Sequence, residues 1–122
     1  MSVFSLPCRA AVVINTKITG STVVTIVDGT NEVVLVPWFQ VNETAGSTPN
    51  LTVDLYDVLN TTSYVLGDSS EASKSWNVTA VTAKQSVPFR EGYIVPKGWL
   101  LRVKSSDAAG KFDVIGIKVA GY

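Results

Sequence analysis
The chain has 122 residues, 46% of them hydrophobic and 16% charged, with ten basic residues balancing ten acidic ones. That composition excludes a disordered tail and fits one domain with a core of its own. The absence of any basic excess removes the long-range attraction that a nucleic-acid backbone or an anionic membrane requires. With no histidine and a single cysteine, Cys8, the sequence also excludes an internal disulfide, His-dependent triads and zinc sites of His or Cys type.

In chain order, the N-terminal stretch carries Val3, Phe4, Leu6 and Pro7 but no basic, long apolar leader. Residues 1–9 therefore read as an arm or as a first strand, and residues 10–122 as a single β domain. Cys8 reads as a small apolar residue, since no histidine is available to activate it. Val, Ile and Thr dominate the remainder of the chain, and helical periodicity is nearly absent. The runs predict strands over 10–17, 22–28 and 32–41. Asp28-Gly29-Thr30-Asn31 between the last two predicts a hairpin, because glycine supplies the positive φ of such turns. Pro37 has no backbone donor and predicts a bulge or an edge.

Residues 42–50 form a polar loop with Gly46 and Pro49. The strand predicted over 51–59 alternates, with Leu51, Val53 and Leu55 on one face and Thr52, Asp54 and Tyr56 on the other. After it come a short strand over 63–66, a polar loop over 67–75, and strands over 76–83, 86–90 and 93–95. The Pro96-Lys97-Gly98 turn leads into 99–105, and a small-residue turn leads into 111–119, which places Ile115, Ile117 and Val119 on one face. Eight or nine strands at this spacing predict an all-β antiparallel β-sandwich, with a jelly roll among the topologies it allows and a closed barrel second.

Chemistry-bearing clusters are sparse. Asp54 and Asp57 are three apart on a strand and face opposite sides, which is wrong for a shared acid–base site. Asp68, Ser69, Ser70 and Glu71 lack the spacing of a calcium loop and read as a soluble loop. Asn-x-Ser/Thr triplets at Asn42, Asn50, Asn60 and Asn77 are what a threonine-rich β protein produces by chance. The rings of Trp38, Phe39, Trp76, Phe89, Tyr93, Trp99 and Phe112 read as core, with sugar stacking or partner anchoring as the other use of any that are exposed. Arg102 and Lys104 share a face with Leu100, opposite Leu101 and Val103. With Arg90 they form either a docking patch for an acidic surface or a solvated outer face. The expectation is a non-enzymatic protein with no cofactor, no metal, and neither nucleic acid nor membrane as a partner.

From Leu51 onward the order is an alternating strand (51–58), Tyr64-Val65-Leu66, a polar stretch, and then a C-terminal unit. In that unit Tyr93-Ile94-Val95-Pro96-Lys97-Gly98-Trp99-Leu100-Leu101-Arg102-Val103 precedes a small-residue turn and Phe112-Asp113-Val114-Ile115-Gly116-Ile117. This resembles small β-sandwich virion proteins of tailed bacteriophages, particularly capsid decoration (cement) proteins and some neck or tail accessory proteins. The resemblance implies a virion protein made in the host cytoplasm and working as a homo-oligomer, a trimer first. Its partner would be the major capsid protein or another virion protein. No binding residue of those families aligns here. The partner-binding candidates are read from the residues alone: Val3, Phe4 and Leu6 of the arm, and Arg90, Arg102 and Lys104. Rival readings are a carbohydrate-binding β-sandwich module and a piece of a receptor-binding spike.

Overall fold
The β-branched runs become nine strands in a computed structural model that describes residues 11–20, 22–44, 51–68, 86–105 and 111–120. In chain order they are β1 (Ala11–Thr19), β2 (Val24–Gly29), β3 (Val34–Glu43), β4 (Leu51–Asp57), β5 (Thr62–Asp68), β6 (Ser86–Phe89), β7 (Tyr93–Val95), β8 (Trp99–Ser105) and β9 (Lys111–Ala120). No helix occurs among the described residues. The all-β antiparallel expectation holds. The strand expected over 76–83 and the arm over 1–9 lie outside the described residues.

Two antiparallel sheets face each other. The front sheet runs β1-β9-β3-β6, with β7 also paired to β3, and the back sheet runs β2-β8-β4-β5. The pairings are nested: β1 with β9, β2 with β8, β3 with β6, and β4 with β5. Consecutive strands from β1 to β4 therefore alternate between sheets. That overturns the hairpin expected at 28–31, because β2 and β3 belong to opposite sheets and never pair. Gly29 serves a different need. A Cβ there would lie 2.7 Å from the Trp99 carbonyl and 2.9 Å from that of Pro96, and the Gly98 N–H donates to the Gly29 carbonyl at 2.7 Å. The connection itself is fixed by Asp28, whose Oδ1 accepts from the Thr30 N–H at 2.8 Å and from the Thr30 hydroxyl.

The core lies between the sheets. Ile14, Ile18, Val34, Val36, Phe39, Val41, Phe112 and Val114 enter from the front, and Ile26, Val27, Leu51, Val53, Leu101 and Val103 from the back. Phe39 stacks on Phe89 at 4.5 Å, and Tyr93 meets Phe39 edge-on at 5.5 Å, so one aromatic cluster locks β3 to both β6 and β7. Each such side chain contributes about 1.5–3 kcal/mol by leaving water.

Pro37 sits where the sequence predicts a bulge. The register of β3 against β9 shifts between Leu35 and Trp38, and β7 hands over to β6 at the same point. The missing N–H thus falls where no ladder bond is called for. Opposite the bulge, a Cβ on Gly116 would lie 2.6 Å from the Trp38 carbonyl and 2.7 Å from Phe39 Cβ. Gly116→Ala should therefore cost about 2 kcal/mol through overpacking, read as a lower urea midpoint with an unchanged slope.

The Asp28 turn carries a pH signature. Its bonds from the Thr30 side chain and backbone hold the carboxyl pKa below its usual 3.8. A depressed folded-state pKa adds stability above the unfolded value, and that stability is lost as pH falls through the folded one. Asp28→Asn should accordingly flatten the loss of thermal stability below about pH 4, measured as melting temperature across pH 2–5.

Candidate functional site
The two outer faces of the sandwich differ in chemistry, and strand register shows why. On the front sheet, Ala11 pairs with Val119, Val119 with Leu35, and Leu35 with Ile94; in the next row Val13 pairs with Ile117 and Ile117 with Trp38. Partnered residues project to the same side. These two rows point away from the core, which takes Ile14, Val36, Phe39 and Val95 from the same strands. Val13 is 71% exposed and Ile94 60% exposed, with Leu35 also exposed and Ile117, Val119 and Trp38 half-buried. Towards the other end the same face turns polar. Lys17 reaches Asp113 at 3.5 Å, and the Gln40 amide donates to Asn42 at 3.0 Å.

The outer face of the back sheet is polar and internally satisfied. Arg102 on β8 lies opposite Asp54 on β4 and grips it with two bonds, Nε to Oδ1 at 2.9 Å and Nη2 to Oδ2 at 2.7 Å. The Ser63 hydroxyl donates to the same carboxylate, and the guanidinium lies 3.9 Å over the Tyr56 ring. The bonds it donates to Asp54 push the Arg102 pKa above its ordinary value, so the charge is permanent. Bidentate geometry and a stacked ring make this pair stronger than an ordinary surface one. Lys104, exposed, stands beside it along β8.

At the end of the sandwich where β4 turns into β5, Asp57 accepts from the N–H groups of Leu59 (3.1 Å) and Asn60 (3.3 Å), while the Asn60 side chain donates to its other oxygen at 2.7 Å. The turn holds Thr61 at φ 50°, a conformation disfavoured for a β-branched residue. It presents Leu59, 87% exposed, at its tip. Tyr64 stacks against Trp99 nearby at 5.2 Å.

The expected candidates are thus dispersed. Arg102 and Lys104 share a face, with Leu101 and Val103 buried behind them. Arg90 directly follows β6 of the other sheet, beside Pro37, Trp38 and Gln40, so the three basic residues do not form one patch. Val3, Phe4 and Leu6 lie outside the described residues. Asp54 and Asp57 part company, one into an ion pair and one into a turn. Among the described residues no three His, Cys, Asp or Glu side chains gather as metal ligands, and no helix is long and apolar enough to cross a membrane. Tyr93 has its pKa raised by burial first and by Glu91 second, in keeping with its place at the edge of the aromatic cluster. Sequence reasoning groups Ile115, Ile117 and Val119 on one face but does not place that face outside the core. The signal was present in 111–120, where Phe112 and Val114 alternate with Ile115, Ile117 and Val119, so that both faces of one strand are apolar.

No protein-family model and no curated protein matches this chain. Two solved structures similar to it are described as a pentameric capsid protein isolated from metagenomic phage sequences, the second solved by iodide SAD phasing. Their identities to this chain are 20% and 21%, their TM-scores 0.47 and 0.48, and each covers 88% of it. The chain spans 61% and 62% of their lengths, about three-fifths. At that identity and overlap they establish no function for this chain.

The back-face ion pair makes a direct prediction. With side-chain exposures of 20% for Arg102 and 11% for Asp54, the pair sits between the exposed and buried limits. Arg102→Met should cost about 2 kcal/mol by stranding the carboxylate. Adding Asp54→Asn should restore most of that loss in a double-mutant cycle read by chemical denaturation.

Proposed function
We propose that this chain is a non-enzymatic structural protein of a phage virion, with decoration of the capsid shell as its role and the major capsid protein as its partner. The observation that carries the reading is the half-apolar outer face of the front sheet. An antiparallel sheet at a solvated surface normally presents a polar outer face. Here the back sheet does so and the front sheet does not, and a contiguous exposed apolar patch marks an interaction surface.

A further observation supports it. The nested strand order suits a double Greek key, or jelly roll, an architecture used by viral capsid and lectin domains; it fits the resemblance of the C-terminal strands to decoration proteins. A shell protein of this kind works by mass action, stabilising whichever lattice state it binds. A homo-oligomer, a trimer first, would multiply that effect by engaging several subunits at once. A position at the neck or tail would use the same face on a different virion partner.

Sugar binding is the reading from another class, since lectins share the architecture. It calls for two or three coplanar exposed rings. Among the described residues Tyr64 is the one mostly exposed ring, and Trp99 beside it is half-buried, so the platform is narrow.

The test is twofold. Light scattering on the purified chain should give a multiple of the chain mass, three being the expected number. Mature capsids made without the protein should assemble but burst at lower temperature or under milder osmotic shock than decorated ones. Equal resistance with and without the protein would sink the decoration role.

A further inference from the structure
We infer that the pocket between Trp38 and Arg90 on the front face receives an acidic side chain of the protein that covers the apolar rows beside it; this deepens the virion-binding reading and rests on it for the identity of that protein. Strand register builds the pocket. β3 pairs with β6 through Gln40 and Pro88 and then through Phe39 and Phe89, and one further step of that ladder sets Arg90 opposite Trp38. Opposed residues project to the same side of a sheet, so the guanidinium stem and the indole share the outer face. The chain then steps past the β3 bulge before β7 begins at Tyr93, and Gly92 makes that step at φ 76°, a conformation open to glycine.

The lining is rich in donors. Pro37, Trp38, Gln40 and Arg90 border the pocket. Arg90 is exposed and brings a guanidinium, Trp38 brings an indole N–H, and Gln40 brings an amide that gives one N–H to Asn42 and keeps the other. The charges elsewhere are matched within the molecule: Lys17 with Asp113 on the same face, Arg102 with Asp54 on the other. Among the described residues no carboxylate lies within ion-pair distance of Arg90. A cation with surplus donors and no acceptor of its own calls for a negatively charged ligand.

The back face shows the completed form of the same constellation. There Arg102 lies over a ring, that of Tyr56, and holds Asp54 by two bonds. Arg90 has a ring across the ladder and lacks the carboxylate. A planar carboxylate suits a guanidinium bidentately, and its single charge matches a single cation, whereas a phosphate dianion calls for more than one. The balanced charge of the chain supplies no wider basic field for a nucleic-acid backbone. The pocket also runs directly into the apolar row Trp38–Ile117–Val13. Its ligand therefore sits beside aliphatic contacts on one continuous surface, which describes an aspartate or glutamate flanked by apolar residues. The apolar rows supply the area that drives association, and the Arg90 pair fixes the orientation in which the partner lands.

The test titrates the full, isotope-labelled chain with two peptides, acetyl-Leu-Glu-Leu-amide and acetyl-Leu-Gln-Leu-amide. The glutamate peptide is expected to move the Arg90 Nε–H, Trp38 Nε1–H and Ile117 methyl signals. It should bind about tenfold more tightly than the glutamine peptide, the gain of a charge-assisted contact. Arg90→Gln should bring the two peptides level, and Arg90→Lys should keep part of the difference. Arg90 is exposed and lies just beyond β6, so both variants keep the core. Capsids made without the protein should bind Arg90→Gln chain about tenfold more weakly than the unaltered chain. Equal affinity for the two peptides, or shifts centred on Arg102 and Lys104, overturns the pocket and leaves the decoration reading standing if capsids still bind the chain. Capsid binding that Arg90→Gln leaves unchanged also overturns it. A glutamate preference carried by Arg90 in a chain that capsids do not bind upholds the pocket and overturns the decoration reading.

Discussion

The single extra residue in β3 decides what this molecule shows to its surroundings. Before Pro37 the inward positions are Val34 and Val36; after it they are Phe39, Val41 and Glu43. Uninterrupted alternation from Val36 would have sent Trp38, Gln40 and Asn42 inward and left Phe39 and Val41 in water, since a one-residue slip exchanges the two faces of a strand. The bulge absorbs that slip. It is possible because β9 places Gly116, with no side chain, against the displaced backbone of Trp38 and Phe39. It costs no ladder bond because the residue within it is a proline. Phe39 is then free to stack on Phe89 and tie β3 to β6. Two residues chosen for what they lack, an N–H and a Cβ, thus determine the core of the front sheet and its outer surface together.

From that point the two outer faces diverge for energetic reasons. On the back sheet, the charged group that strand alternation turns outward, Arg102, meets a carboxylate directly across the ladder and a ring to lie on. Such a face is complete without a partner, and covering it would strip solvent from charges already well matched, with little net gain. On the front sheet the outward residues near β7 are aliphatic and exposed, with no polar partner among the described residues. Covering them is favourable by about 25 cal/mol for each Å² of apolar surface removed. The molecule is therefore polarised into one side that is finished and one that is not, and association is expected from the second. The Lys17–Asp113 contact marks where the front face becomes polar again and limits how far a partner can usefully extend.

Much of this was legible in the chain, and the failures have physical causes. The strands 93–95 and 99–105 were bounded correctly because a proline–glycine turn separates two strongly β-forming runs. Pro37 announced its bulge through its missing hydrogen-bond donor. The Asp28-Gly29 pair misled because local chemistry alone cannot distinguish a glycine needed for a positive φ from one needed for close approach to another strand; Gly29 is of the second kind, and only the position of Trp99 reveals it. The face of Ile115, Ile117 and Val119 was identified, but period-2 alternation carries no sign, and with both faces apolar it could not say which was inward. The basic candidates were grouped by nearness in sequence. Nested pairing then placed β8 in the back sheet and Arg90, just after β6, with the front sheet, on opposite sides of a core that no local pattern encodes.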